Sequence, residues 1–164
     1  MALTEGPQIL VGSSMGGWIS LLMARAMPER VAGLVTIAAA PDFTERGFYA
    51  EFSQAEHAAL LRDGKVERAS EYGAPLVLTR RLIEDGRDHL VLDRPLTLPM
   101  PVRMLQGTAD ADVPVSWPMD LLDHASGGDL RLTLVKGADH RFSTPDCLSL
   151  IARTVAEIGQ NVRL

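Results

Sequence analysis

Three residue types that do little chemistry alone occur here in an order that lets them act together: Ser14, then Asp110 or Asp112, then His140. A serine hydroxyl is a weak nucleophile at neutral pH. It becomes a useful one when an imidazole takes its proton and a carboxylate fixes the tautomer of that imidazole. Ser14 is the centre of Gly12-Ser13-Ser14-Met15-Gly16, a G-x-S-x-G pentapeptide. Ser13 is not, because Val11 stands where the first glycine is needed. The pattern follows the apolar run Ile9-Leu10-Val11 and precedes Gly17-Trp18-Ile19-Ser20-Leu21-Leu22. Strand, sharp turn and helix form the context in which such a pentapeptide presents its serine at the tip of a bend. Crowding at the bend predicts that both flanking positions, Gly12 and Gly16, must be nearly free of side chain. The backbone N–H of Met15, at the start of the following helix, is placed to meet a developing oxyanion.

Open α/β folds keep their sites above the C-terminal edge of the sheet, so a base and an acid are sought on loops that follow later strands. Of the four histidines, His140 alone lies directly after a predicted strand, in Gly137-Ala138-Asp139-His140-Arg141-Phe142. His57 and His124 fall in predicted helices, and His89 falls in an irregular stretch. Candidate acids occupy Gln106-Gly107-Thr108-Ala109-Asp110-Ala111-Asp112-Val113-Pro114. The G-x-x-D-x-x-V-P spacing favours Asp110. Asp112 stays open as the alternative and is otherwise a loop-structuring residue. Asp139 is too near His140 in the chain to be its usual partner. A histidine base also predicts activity that rises with pH as the imidazole loses its proton.

The elements that must position these groups read as alternating strand and helix. Gln8 to Gly12 is a continuous apolar strand, and Met15 to Met27 is a helix stopped by Pro28. Val31 to Ala38 is a second strand, Val102 to Gln106 a third, and Leu130 to Val135 a fourth. A helix over Val115 to Ala125 joins the last two. A closing helix runs from Thr144 to Ile158, with Thr144 as N-cap and Pro145 in first position. Strand, helix, strand with short joints implies βαβ units. The fold class is therefore α/β, a parallel sheet of about four strands flanked by helices. Residues from about 45 to 95 break the rhythm. They read as two or three short helices with a short strand at Leu76 to Thr79. This is a lid-like insertion within one domain over residues 1–164, too short to own a core. Its apolar residues Phe48, Phe52, Leu60 and Leu61, with Phe43 just before it, either line an acyl pocket or pack the lid helices onto the body.

Composition bounds the function classes. The chain has 164 residues, 46% hydrophobic and 23% charged, which is ordinary globular usage for one domain. A net charge of −5 and the lack of a Lys/Arg cluster argue against a nucleic-acid-binding surface. Cys147 is the single cysteine, so no internal disulfide is available, and its helical neighbours make it a small core residue. There is no H-E-x-x-H, no paired-cysteine site and no G-K-[ST] phosphate loop, so no metal or cofactor is expected. No run approaches the roughly 20 apolar residues of a membrane span. Residues 1–7 carry neither a basic and apolar leader nor an Arg-rich transit pattern, so a cytoplasmic location is the default expectation.

Taken together, Gly12-Ser13-Ser14-Met15-Gly16-Gly17-Trp18, Ala39-Ala40-Pro41-Asp42-Phe43-Thr44, Gly107 to Pro114 and Gly137 to Phe142 resemble the α/β-hydrolases. The nearest branch is that of palmitoyl-protein thioesterases and mycophenolic acid acyl-glucuronide esterases, with their bacterial relatives. The resemblance covers nearly the whole chain. It implies Ser14 as nucleophile, Asp110 as acid, His140 as base, and esters or thioesters with an acyl chain as substrates, acylated protein among them. In that family the pentapeptide follows the fifth strand of an eight-stranded sheet, whereas here it begins at residue 12. The resemblance therefore implies the C-terminal part of a hydrolase, partial in fold. About four strands and the loop that supplies the second oxyanion N–H are absent. Ile9-Leu10-Val11 would then be an edge strand and invite self-association. Two other functions fit the same residues. One is a serine peptidase of the aminopeptidase or prolyl type. The other is a non-catalytic remnant that binds a partner through its exposed sheet edge.

Overall fold

The computed structural model describes residues 4–69 and 73–161. Residues 1–3, 70–72 and 162–164 lie outside them. The chain opens with β1 (Gln8–Ser13), α1 (Met15–Ala26) and β2 (Val31–Ile37). After a π-type turn (Thr44–Phe48) come α2 (Gln54–Asp63), β3 (Lys65–Arg68), β4 (Leu76–Thr79) and α3 (Arg80–Asp88). Next are β5 (Leu96–Thr97), β6 (Val102–Gly107), α4 (Ser116–His124) and β7 (Ala125–Ser126). The described chain closes with β8 (Leu130–Val135) and α5 (Pro145–Asn161). Contacts divide the molecule into two compact units, residues 1–41 with 91–164, and residues 42–90.

The first unit is built on a four-stranded sheet in the order β1-β2-β6-β8, parallel throughout. Parallel pairing needs crossovers, and α1 and α4 supply two of them. The inner strands carry the apolar runs the sequence predicts: β6 is buried along its whole length and β2 along nearly all of it. One face packs Val35, Ile37 and Leu105 against Phe142, Cys147 and Ile158, with Ile151 and Val155 beside them. Cys147 is thus a core residue. The N-terminus of α5 is capped as its sequence suggests, with the Cys147 N–H donating to Thr144 Oγ1 at 3.3 Å. β1 differs from a fully buried strand. Among the described residues it pairs on one side only, and Val11 is 48% exposed. Edge position, not a change of pattern, accounts for that exposure.

Arg103 is the one charged side chain buried in β6. It donates to Asp129 Oδ2 at 2.9 Å and to Glu157 Oε1 at 2.8 Å, which ties β6 to the start of β8 and to α5. A buried guanidinium is tolerable when its donors are met in this way. Among the described residues no helix is long and apolar enough to cross a membrane.

The second unit departs from the sequence reading. Phe52, Leu60, Val66, Leu78 and Ile83 form a buried cluster of their own. The missing element was β3, which pairs antiparallel with β4 and closes this cluster. Its sequence, Lys65-Val66-Glu67-Arg68, holds one apolar residue and gives almost no strand signal. Phe52 and Leu60 thus pack within the unit, Phe43 meets Phe48 edge to face at 5.4 Å, and Leu61 is 72% exposed.

At the start of α2, Ser53 and Glu56 form a reciprocal capping box. Hydrogen bonding to Arg68, then to the Ser53 N–H, holds the Glu56 carboxyl down at about 2. A carboxylate whose folded value lies below its ordinary 4.5 stabilises the fold fully above that pH, and the contribution is lost as pH falls through about 2. Glu56→Gln is therefore expected to speed amide exchange in α2 at neutral pH. The wild type and the variant should converge as the pH approaches 2. A difference that persists unchanged in acid would contradict the assignment.

Candidate active site

Ser14 sits between β1 and α1 with φ 53° and ψ −121°, a backbone conformation that a residue with a Cβ rarely adopts. Its N–H donates to the Ile37 carbonyl at 2.9 Å, and its own carbonyl accepts from Gly17 and Ala40. These bonds hold the bend against its strain, which is of order 1–3 kcal/mol. Ala38, just past β2, is also in the positive-φ region, so strain collects at the C-terminal ends of neighbouring strands. Met15 is the first residue of α1, where a backbone N–H has no intrahelical acceptor.

The two flanking glycines are not equivalent. A Cβ on Gly12 would collide with the Gly16 carbonyl oxygen and with Ser20 Oγ, whereas one on Gly16 would have open space. The second crowded glycine is Gly17, where a Cβ would come within 2.6 Å of the Ala39 Cβ. Gly12→Ala is accordingly expected to destabilise the protein by about 2 kcal/mol through overpacking. Gly16→Ala should leave the melting temperature unchanged or raise it, since alanine is the better helix former. Thermal melts of the two variants decide it; equal losses would mean that the bend is crowded on both sides.

The imidazole reaches this bend from the other end of the chain. His140 Nε2 lies 3.0 Å from Ser14 Oγ, and His140 Nδ1 lies 3.0 and 3.1 Å from the two oxygens of Asp110. An ionised carboxylate only accepts, so Nδ1 carries the proton and Nε2 is the acceptor facing the serine hydroxyl. The structure thus joins Ser14, Asp110 and His140 in one hydrogen-bonded row. Asp112 is exposed and contributes its backbone N–H, which donates to Asp110 Oδ1 at 2.9 Å. Val113 N–H donates to the same oxygen at 2.8 Å. The Asp110 side chain has no exposed surface, and that of His140 keeps 20%.

Two loops hold these groups, and they are tied together. Thr108 N–H donates to the Val135 carbonyl, Ala109 N–H to the Ala138 carbonyl, and Gly137 N–H to Thr108 Oγ1. The Ala138 carbonyl comes so close to Gly107 that a Cβ there would collide with it. On the far side of His140 the chain is anchored by Phe142, which is fully buried and donates its N–H to Asp139 Oδ1 at 3.0 Å.

Sequence reasoning missed Gln106. It is fully buried at the end of β6, and its Nε2 donates to Asp110 Oδ2 at 2.9 Å and to the Val113 carbonyl at 3.0 Å. The signal was present: a polar residue next to the end of a mainly apolar strand, beside the loop that carries Asp110. Ligand atoms of Asp110, Asp112 and His140 lie within 4.8 Å of one another, near enough for a metal ion. Both Asp110 oxygens and both His140 ring nitrogens already have hydrogen-bond partners, which accounts for that clustering without an ion.

No family model matches the chain. Among curated proteins it is 30% identical over 164 residues to the rat mitochondrial palmitoyl-protein thioesterase ABHD10, covering 95% of this chain and 53% of the relative. The mouse protein of that name is 32% identical, again over 95% of this chain and 53% of the relative. The chain therefore spans about half the length of the curated relatives it matches. Among solved structures, a protein from Agrobacterium vitis S4 provisionally assigned as a hydrolase superposes with a TM-score of 0.87. It is 39% identical and matches over 92% of this chain and 60% of its own. Mouse alpha/beta hydrolase domain-containing protein 10 also gives 0.87, at 31% identity over 97% and 64%. These findings correct one expectation. The curated relatives are described as mitochondrial, which conflicts with a cytoplasmic location. That default rested only on the absence of a leader pattern in residues 1–7, and such an absence locates nothing.

Proposed function

We propose that this chain, which is similar to α/β-hydrolases over nearly its whole length, cleaves carboxylic esters or thioesters through an acyl-enzyme on Ser14. The observation that carries the proposal is the row Ser14 Oγ, His140 Nε2, His140 Nδ1, Asp110, with every contact at 3.0–3.1 Å. His140 takes the hydroxyl proton as Ser14 attacks the acyl carbonyl. Asp110 keeps the ring oriented and stabilises the imidazolium that forms. The Met15 N–H meets the oxyanion. His140 then gives its proton to the leaving oxygen or sulfur, and a water activated by the same ring releases the acid. The relatives' names favour an acyl thioester as substrate, with an acylated protein as one form of it.

The test is a fluorophosphonate probe, which reacts with an activated serine irrespective of acyl chain. Mass spectrometry should find the phosphonyl group on Ser14. An unlabelled protein, or label on another residue, overturns the proposal.

A further inference from the structure

A buried amide that leaves its own oxygen unsatisfied calls for an explanation. Gln106 is such a residue: its side chain is fully buried, and Oε1 has no hydrogen-bond partner. A buried acceptor left unpaired costs about 1–3 kcal/mol. A methionine or leucine would fill a similar volume at the end of β6 without that cost. The amide nitrogen explains what is gained. It reaches Asp110 Oδ2 at 2.9 Å and the Val113 carbonyl at 3.0 Å, both acceptors only. Turning the amide over would set Oε1 against two further oxygens, so the partners dictate its orientation.

We propose that Gln106 is a positioning residue, whose NH2 group holds the Asp110 carboxylate in the rotation that His140 Nδ1 requires. This rests on the serine-hydrolase reading above. The carboxylate torsion is a soft sp³–sp² rotation with a broad well. Asp110 Oδ1 is held by two backbone N–H groups, from Asp112 and Val113. Among the described residues, Gln106 and His140 donate to Oδ2. Because the same nitrogen also binds Val113, it spans the loop between the strand end and the residue that anchors Oδ1. Loss of the NH2 group frees the carboxylate to turn. His140 then loses the partner that fixes its ring, while no group that would contact substrate has changed.

Gln106→Met keeps volume and burial and removes the donor. It is expected to lower kcat by about 10–100-fold, the scale of a small misplacement in a catalytic row, with KM changed less than about threefold. The fluorophosphonate labelling rate should fall by the same factor. The discriminating measurement is the same substitution in an Asp110→Ala background, where the factor should shrink to less than about threefold because there is no carboxylate left to orient. An equal factor in both backgrounds, or no loss in the first, overturns the proposal. Should Gln106→Met fail to fold, the side-chain amide NMR signal of Gln106 in otherwise wild-type protein decides. It should move on Asp110→Ala, and an unmoved signal overturns the proposal. Ser14→Ala separates the two readings. If Ser14→Ala labels normally, the serine-hydrolase reading fails. If Ser14→Ala is silent and Gln106→Met acts as wild type, the positioning role alone fails.

Discussion

Ser14→Ala is expected to lower the hydrolysis of an activated acyl ester or thioester by about 10⁶-fold, the loss that follows removal of a nucleophile that works as a unit with its base. Neighbouring Ser13 does not replace it. Ser13 is the last residue of β1, held in register opposite Ile37, and it is Ser14 Oγ that meets His140. The variant folds, because alanine at φ 53° meets the same backbone strain as serine and the hydrogen bonds that hold the bend are main-chain bonds. Ser14→Gly makes the complementary point. It is expected to be equally inactive and more stable by about 1 kcal/mol, since glycine adopts positive φ without penalty. Turnover measured beside thermal unfolding separates the two effects. Ser14→Ala with wild-type turnover would end the nucleophile assignment. Ser14→Gly with an unchanged melting temperature would show that the bend stores no strain.

Asp110→Asn is expected to cost about 10⁴-fold in kcat with little change in fold. The amide that replaces the carboxylate has one acceptor instead of two, while four N–H groups point at the site: those of Gln106, Asp112, Val113 and His140. An NH2 group turned towards His140 Nδ1 selects the tautomer whose proton is on Nε2, and that ring can no longer accept from Ser14. Asp112→Asn is the control. Its side chain is exposed and its contribution to the row is a backbone N–H, so the loss should be less than about threefold. The two variants assayed side by side settle which aspartate is the acid. A large loss at Asp112 and none at Asp110 would reverse the assignment.

The residues of the row were legible in the sequence because each sits next to a strong local signal. Ser14 is flanked by an apolar strand and a helix, and His140 follows a strand directly. The choice between Asp110 and Asp112 was not closed by spacing, since both lie in one loop within reach of the ring. Only the side-chain rotation, set by Gln106 and by the N–H groups of Asp112 and Val113, separates them. The strand order could be approached from βαβ logic, which fixes parallel neighbours. The partition of residues 42–90 could not. Its core depends on Val66 in a four-residue strand with three charged neighbours, and pairing with β4 makes that segment a strand more than its own propensity does. The roles of the glycines were half legible. Pattern matching marks Gly12 and Gly16 alike, and three-dimensional crowding falls on Gly12 and Gly17.

The ties among Thr108, Ala109, Val135, Gly137 and Ala138 mean that Asp110 and His140 are carried by what is mechanically one piece. A graft that moves either segment alone into another scaffold would arrive without its counterpart's hydrogen bonds and lose its aim. Insertions tolerated at ordinary surface turns should be rejected in both segments together. Variation in such a protein is then confined to paired changes, with residues 107–113 and 135–142 drifting as a couple while the rest of the surface is free to wander.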